Sequence, residues 1–173
     1  MDKLSAYVIF CDDLRQEVGD KKTFVGVYNE ELYIPCLPTL IPKFYVVTAV
    51  SCYVEKIPAQ LTVRLTLGDD ELDKTTVSSE ELEKWRVSLQ EEHPPRAAED
   101  SPDQPPMARL ILEMLISPFW IRDEGRLASY VDTERGTLCA GSIGIIRRDG
   151  APTVALKIGP PKSEKRLAEG KAP

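Results

Sequence analysis

Residues Phe44 to Leu67 read FYVVTAVSCYVEKIPAQLTVRLTL, and their spacing decides the fold class. Phe44, Val46, Thr48, Val50, Cys52 and Val54 alternate with Tyr45, Val47, Ala49, Ser51, Tyr53 and Glu55. A period of two belongs to an extended strand, whose successive side chains point to opposite faces. Both sets are largely apolar, so the strand is expected to be covered on both sides. After Pro58, Leu61, Val63, Leu65 and Leu67 alternate with Thr62, Arg64 and Thr66. That second run has one apolar and one polar face, the pattern of a strand with core on one side and water on the other.

The same period recurs on either side. Leu4 to Asp12 reads as a first strand, with Leu4, Ala6, Val8 and Phe10 on one face and Tyr7, Ile9 and Cys11 on the other. Gly19, Asp20 and Lys21 supply turn chemistry before Thr23 to Tyr28, which predicts a hairpin; Leu14 to Val18 forms either a loop or a bulged extension of both strands. From Asn29 to Lys43, Pro35, Pro38 and Pro42 lack the amide donor a central ladder needs. This segment is expected to wander over an edge of the sheet, with Leu37, Leu40 and Ile41 plugging the core. Gly68, Asp69, Asp70 and Glu71 read as a turn into a return strand, Leu72 to Ser78, and Ser79 as the cap of a short helix rich in glutamate.

Met107 to Ile116 reads as a core strand, interrupted at Pro118 and followed by the aromatic bridge Phe119, Trp120 and Ile121. Gly125 and Gly136 then open two closing strands, Leu127 to Asp132 and Leu138 to Arg147. The expectation is an all-β antiparallel sandwich of about eight or nine strands with one short helix, occupying residues 1–158 as a single domain. A small closed barrel is the competing geometry. Residues 91–106 mix prolines with acids and are expected to form a disordered loop inside the domain, and 159–173 a disordered basic tail.

The formal charge of -6 sets up a field that repels phosphate backbones and anionic lipid headgroups, which argues against nucleic acid and membrane as partners. Met1 to Phe10 lacks the long apolar stretch of a signal peptide, and no run approaches the roughly 20 apolar residues of a membrane span. Cys11, Cys36, Cys52 and Cys139 show no C-x-x-C spacing, and Cys11, Cys52 and Cys139 sit in apolar strands, where a thiol packs as a small hydrophobe. The chain reads as cytoplasmic.

The run AYVIFCDDLRQEVGDKKTFVGVY, Ala6 to Tyr28, resembles the opening of a family of small bacterial proteins known as a domain of unknown function. The resemblance rests on the apolar strand ending in Cys11, Asp12 and Asp13, the Arg15 to Glu17 loop, and the Gly26-Val27-Tyr28 end of the return strand. The proline-bearing stretch and long strand from Pro35 to Val54 are also similar, as is Pro118-Phe119 followed by Gly125. It implies a sandwich-like bacterial domain and transfers no catalytic or binding residue.

Few side chains suit catalysis. His93, the single histidine, stands between Glu92 and Pro94 without a second ligand nearby. Gly141-Ser142-Ile143-Gly144 lacks the spacing of a nucleophile elbow, and Gly19 to Thr23 lacks the upstream glycine and following helix of a phosphate loop. No cofactor is expected. Asp12 and Asp13 with Asp69, Asp70 and Glu71 are the candidate metal ligands, since a C2-like module would gather such loop carboxylates around Ca²⁺ or a small ligand; turn propensity alone also accounts for them. Glu113 and Asp123 are the carboxylates a hydrolase would use. Trp85, Phe119 and Trp120 are candidates for a recognition surface, the last two against the reading that they cap the core. Arg147, Arg148, Lys162, Lys165 and Arg166 could hold an acidic partner or simply solvate the tail. The leading expectation is a non-enzymatic module that binds another protein through a sheet edge or the Trp120 bridge, with a homo-oligomer left open. The Ca²⁺ or ligand module and the carboxylate-dependent hydrolase are the alternatives.

Overall fold

Alternation at period two becomes eleven strands and one helix in the described residues, 4–19, 21–92 and 107–148, of the structure, a computed structural model. In chain order these are β1 (Ser5–Glu17), β2 (Lys21–Tyr28), β3 (Glu31–Ile34), β4 (Thr39–Ile41), β5 (Phe44–Tyr53), β6 (Leu61–Leu67), β7 (Asp70–Val77), α1 (Ser79–Glu92), β8 (Met107–Ile116), β9 (Phe119–Ile121), β10 (Gly125–Thr133) and β11 (Gly136–Arg147). One sheet, called A here, runs β2-β1-β5-β8, and a second, B, runs β3-β11-β10-β6-β7. A ribbon of β4 and β9 stands apart. The strand orders are open, so the fold is a sandwich and not a closed barrel.

The two sheets meet over a shared apolar core in which β5 lies centrally, as its two apolar faces require. Phe44 is the hub of an aromatic cluster, with ring centroids 6.2 Å from Phe10, 5.7 Å from Tyr28 and 5.1 Å from Phe119. One buried polar contact crosses between the sheets, Thr48 Oγ1 to Ser129 Oγ at 2.9 Å. One buried hydroxyl donates to the other, which offsets the cost of burying either alone. At Gly141, with φ 149°, an added Cβ would lie 2.9 Å from Val8 Cγ1, so β11 passes close over β1 only because the residue is glycine.

Several details differ from the sequence reading. The count rises to eleven because the proline-rich segment contains β3 and β4, and β9 pairs with β4. Prolines forbid a long ladder there, yet four residues ahead of Pro35 and three between Pro38 and Pro42 remain free to pair. β3 joins β11 in parallel, so the sandwich is not purely antiparallel. Leu40 does not plug the core and is exposed, whereas Leu37 and Ile41 pack against it. β1 continues to Glu17 and pairs with β2 as far as Lys21, so the segment extends both strands of the first hairpin without a bulge in its register.

The β6–β7 turn is only Gly68 and Asp69, since Leu67 pairs with Asp70. Gly68 supplies the positive φ, 58°, that a two-residue hairpin turn needs. Ser78, not Ser79, caps α1: the Glu81 N–H donates to Ser78 Oγ at 3.2 Å and the Ser78 N–H donates to Glu81 Oε2 at 2.9 Å. This reciprocal capping box holds the Glu81 carboxyl below its usual range. Leu82, Trp85 and Leu89 form the helix stripe packed on the core, and Glu91 and Glu92 belong to the helix and not to a loop. Cys139 is exposed, unlike Cys11 and Cys52, because its position on β11 faces away from the core. His93, the remainder of the 91–106 segment and the 159–173 tail lie outside the described residues. No helix among the described residues is long and apolar enough to cross a membrane.

Candidate binding surface

The alternation of β9 separates the two aromatics that stand side by side in the chain. Phe119 and Ile121 turn inward and are buried, so Trp120 must turn outward, where it is 56 % exposed. Its cross-strand neighbour on β4 is Leu40, itself 43 % exposed, which makes one apolar knob from two strands. The base of the ribbon is held by Phe119 against Phe44 and by Ser117 Oγ, which donates to the Pro42 carbonyl at 2.9 Å. Trp85, the other tryptophan, packs against the core from α1.

A second surface lies on the outer face of sheet A. Ile9, Val47 and Glu113 form one row across β1, β5 and β8. Lys22 on β2 is paired with Gln16, seven residues beyond Ile9, roughly 23 Å away along a straight strand. Lys22 nevertheless forms an ion pair with Glu113. The β1–β2 hairpin therefore folds back over the sheet, as strongly twisted two-stranded ribbons can. The bend falls where the ladder skips the pair Asp12 and Gly26. Gly26 has φ 65°, and a Cβ there would sit 2.7 Å from Asp12 Cγ. Asp12 lies across that gap and accepts a hydrogen bond from the Tyr28 hydroxyl. Burial, and then that carboxylate, push the Tyr28 hydroxyl well above its usual pKa.

Between arm and sheet is a cleft of about 370 Å³, lined by Tyr7, Ile9, Phe24, Val47, Ala49 and Ile111 with Lys22 beside them. Its walls are apolar, which explains why β1 and β5 carry apolar residues on both faces. The sequence showed those faces but gave no sign that the hairpin supplies the cover. Leu40 and Lys22 were likewise missed, because the partner of each is remote in the chain.

The acidic candidates are not brought together into a metal-sized cluster. Asp13 accepts from Lys43 and from Arg15, and those two contacts, Lys43 first, hold its carboxyl below the usual aspartate range. Asp12 faces Tyr28. Asp69 occupies the β6–β7 turn, Asp70 begins β7, and Glu71 pairs with Lys74 at 3.2 Å. Among the described residues no three His, Cys, Asp or Glu side chains form a group able to hold a metal. Glu113 is engaged by Lys22, while Asp123 lies in the β9–β10 connection. Ser142 accepts from Arg126 Nε at 2.7 Å on the outer face of sheet B. The Arg147 N–H donates to Glu124, and the Arg148 guanidinium stacks 5.0 Å from the Tyr33 ring centre.

Comparison of the chain with protein-family models, with curated proteins and with solved structures finds no match.

Proposed function

We propose that this protein is a non-enzymatic binding module that engages another protein through the Trp120–Leu40 knob. The observation that carries the reading is the split of the bridge: Phe119 is buried as an anchor while Trp120 is 56 % exposed on the same three-residue strand. A tryptophan held out on a pinned ribbon has lost much of its freedom before any partner arrives, which is the arrangement of an interface anchor. On this reading the protein works in the bacterial cytoplasm, in keeping with the sequence resemblance and with four unpaired cysteines.

The test is affinity purification of the tagged protein from its host, run beside Trp120→Ala and Leu40→Ala. The expected result is a stoichiometric partner with wild type that is lost with Trp120→Ala, while the thermal midpoint of that variant is essentially unchanged. A partner retained equally by all three would overturn the assignment of the knob.

The cleft favours a second reading, a site for a small apolar ligand, since about 370 Å³ lies within the range of small-molecule pockets. A naphthalene-sulfonate probe is then expected to brighten on binding and to lose that response in Ala49→Phe, which fills the cleft floor. An equal response from the filled variant would remove this reading.

A further inference from the structure

β8 ends sheet A, and among the described residues it pairs with β5 alone. Such an edge carries a row of backbone donors and acceptors directed away from its neighbour, and proteins usually protect a long one with charge, proline or a bulge. β8 has ten residues, Met-Ala-Arg-Leu-Ile-Leu-Glu-Met-Leu-Ile, without proline. On its outer face Met107, Ile111 and Leu115 are 55 %, 44 % and 49 % exposed.

The order of these residues is self-complementary. If β8 meets a second β8 running antiparallel with Ile111 opposite Ile111, Met107 falls opposite Leu115 and Arg109 opposite Glu113, each twice by symmetry. On the inner face Ala108 falls opposite Met114, and Leu110 opposite Leu112. Shifting the register by two residues either way sets Glu113 against an apolar residue. Centring the pair on Arg109 or on Glu113 sets like charges face to face. Arg109 donates to Ser51 Oγ at 3.3 Å and has no carboxylate partner among the described residues. A carboxylate arriving opposite it across the edge would supply one.

We propose that two copies of this chain associate through β8, antiparallel about a twofold axis at Ile111, joining their A sheets into one continuous sheet. The partner's Arg109 then pairs with Glu113, which keeps Lys22 of its own chain on the other side. The outer apolar faces of the two A sheets become one surface.

Sedimentation velocity over a concentration series tests this with wild type and two charge reversals. Wild type is expected to reach twice the 19.3 kDa chain mass. Arg109→Glu alone sets Glu against Glu, and Glu113→Arg alone sets Arg against Arg, so each is expected to weaken self-association by roughly tenfold or more. Mixed together, the two variants complement at both contacts and are expected to form a heterodimer. A wild type that stays monomeric, or a dimer indifferent to both reversals, would overturn the proposal. Should a reversal fail to fold, Ile111→Cys decides: antiparallel partners lie about 4.5–5.5 Å apart at Cα, within disulfide reach. Made in a Cys36→Ser, Cys139→Ser background, which removes the two exposed thiols, the variant is expected to give a covalent dimer on oxidation and the background chain none; absence of the variant's cross-link would overturn the register.

Discussion

The outer faces of the two sheets solve the same problem in opposite ways. On sheet B the polar side chains bond to one another in the plane of the sheet: Arg64 donates to Asp132 at 2.7 and 3.3 Å, Thr137 donates to the same carboxylate at 2.6 Å, and Thr62 meets Thr76 at 2.9 Å. Arg64 also lies 5.4 Å from the Tyr130 ring centre. That face is complete in itself. On sheet A the centre of the corresponding face is Ile9, Val47, Ala49 and Ile111, which cannot hydrogen-bond laterally and need a cover. The chain supplies part of one by folding its first hairpin back, and among the described residues no strand pairs with the far side of β8. A face that satisfies itself serves the fold, whereas a face left partly uncovered is where a second molecule can gain area.

The largest effect that would separate the faces comes from placing a charge on each. Val47→Asp puts a carboxylate on the buried floor of the cleft and is expected to cost about 3 kcal/mol or more, while Thr76→Asp on the exposed strand β7 of sheet B, beside Lys74, stays within about 1 kcal/mol. Urea unfolding of both variants measures the gap, and equal costs would break the comparison. Next is the bend. Gly26→Ala keeps every apolar contact but forces a Cβ onto Asp12 at a φ of 65°, so a loss of roughly 1–3 kcal/mol is expected, together with faster hydrogen exchange along β2.

Acid sharpens the contrast from the sheet B side. The hydrogen bond from Arg64 comes first among the causes that hold the Asp132 carboxyl below its usual range, with burial opposing it and Thr137 assisting. Because the folded pKa lies below the unfolded value of about 3.9, the stabilisation is present above that pH and is lost as pH falls through the folded value. Arg64→Met is therefore expected to flatten the fall in urea midpoint between about pH 4 and pH 2 relative to wild type. The smallest effect belongs to Lys22→Ala. Its ion pair with Glu113 is partly exposed, so stability is expected to change by less than about 1 kcal/mol. Exchange protection of residues 21–24 should drop all the same, since the arm loses its tie to β8. An arm equally protected without Lys22 would show that Phe24 packing alone holds it.

Much of this arrangement was legible in the chain. Period-two alternation located the long strands, the two-faced apolar content of β1 and β5 announced that both sides were covered, and the one-faced pattern of β6 marked sheet B as partly solvated. Caps and turns were read to within one or two residues, Ser79 where Ser78 caps and a turn of four residues where two suffice, because neighbouring polar residues compete for such roles on equal local terms. The short strands β3, β4 and β9 escaped, since three or four residues carry too little periodicity and their pairing partners are far away in sequence. At the site, Trp120 was named together with Phe119. Alternation alone says that they point opposite ways but not which of them faces the core.

By itself the sequence determined that the chain is built from strands and which residues share a face. These follow from local sterics and from side-chain polarity, which every stretch carries wherever it is placed. The tertiary structure alone decided that Lys22 would reach Glu113, that Leu40 would stand beside Trp120, and that β8 would be an edge with its palindrome of charges exposed. Each of these depends on which strands become neighbours. That choice minimises the exposed apolar area of the whole chain at once, and no single window of sequence contains it.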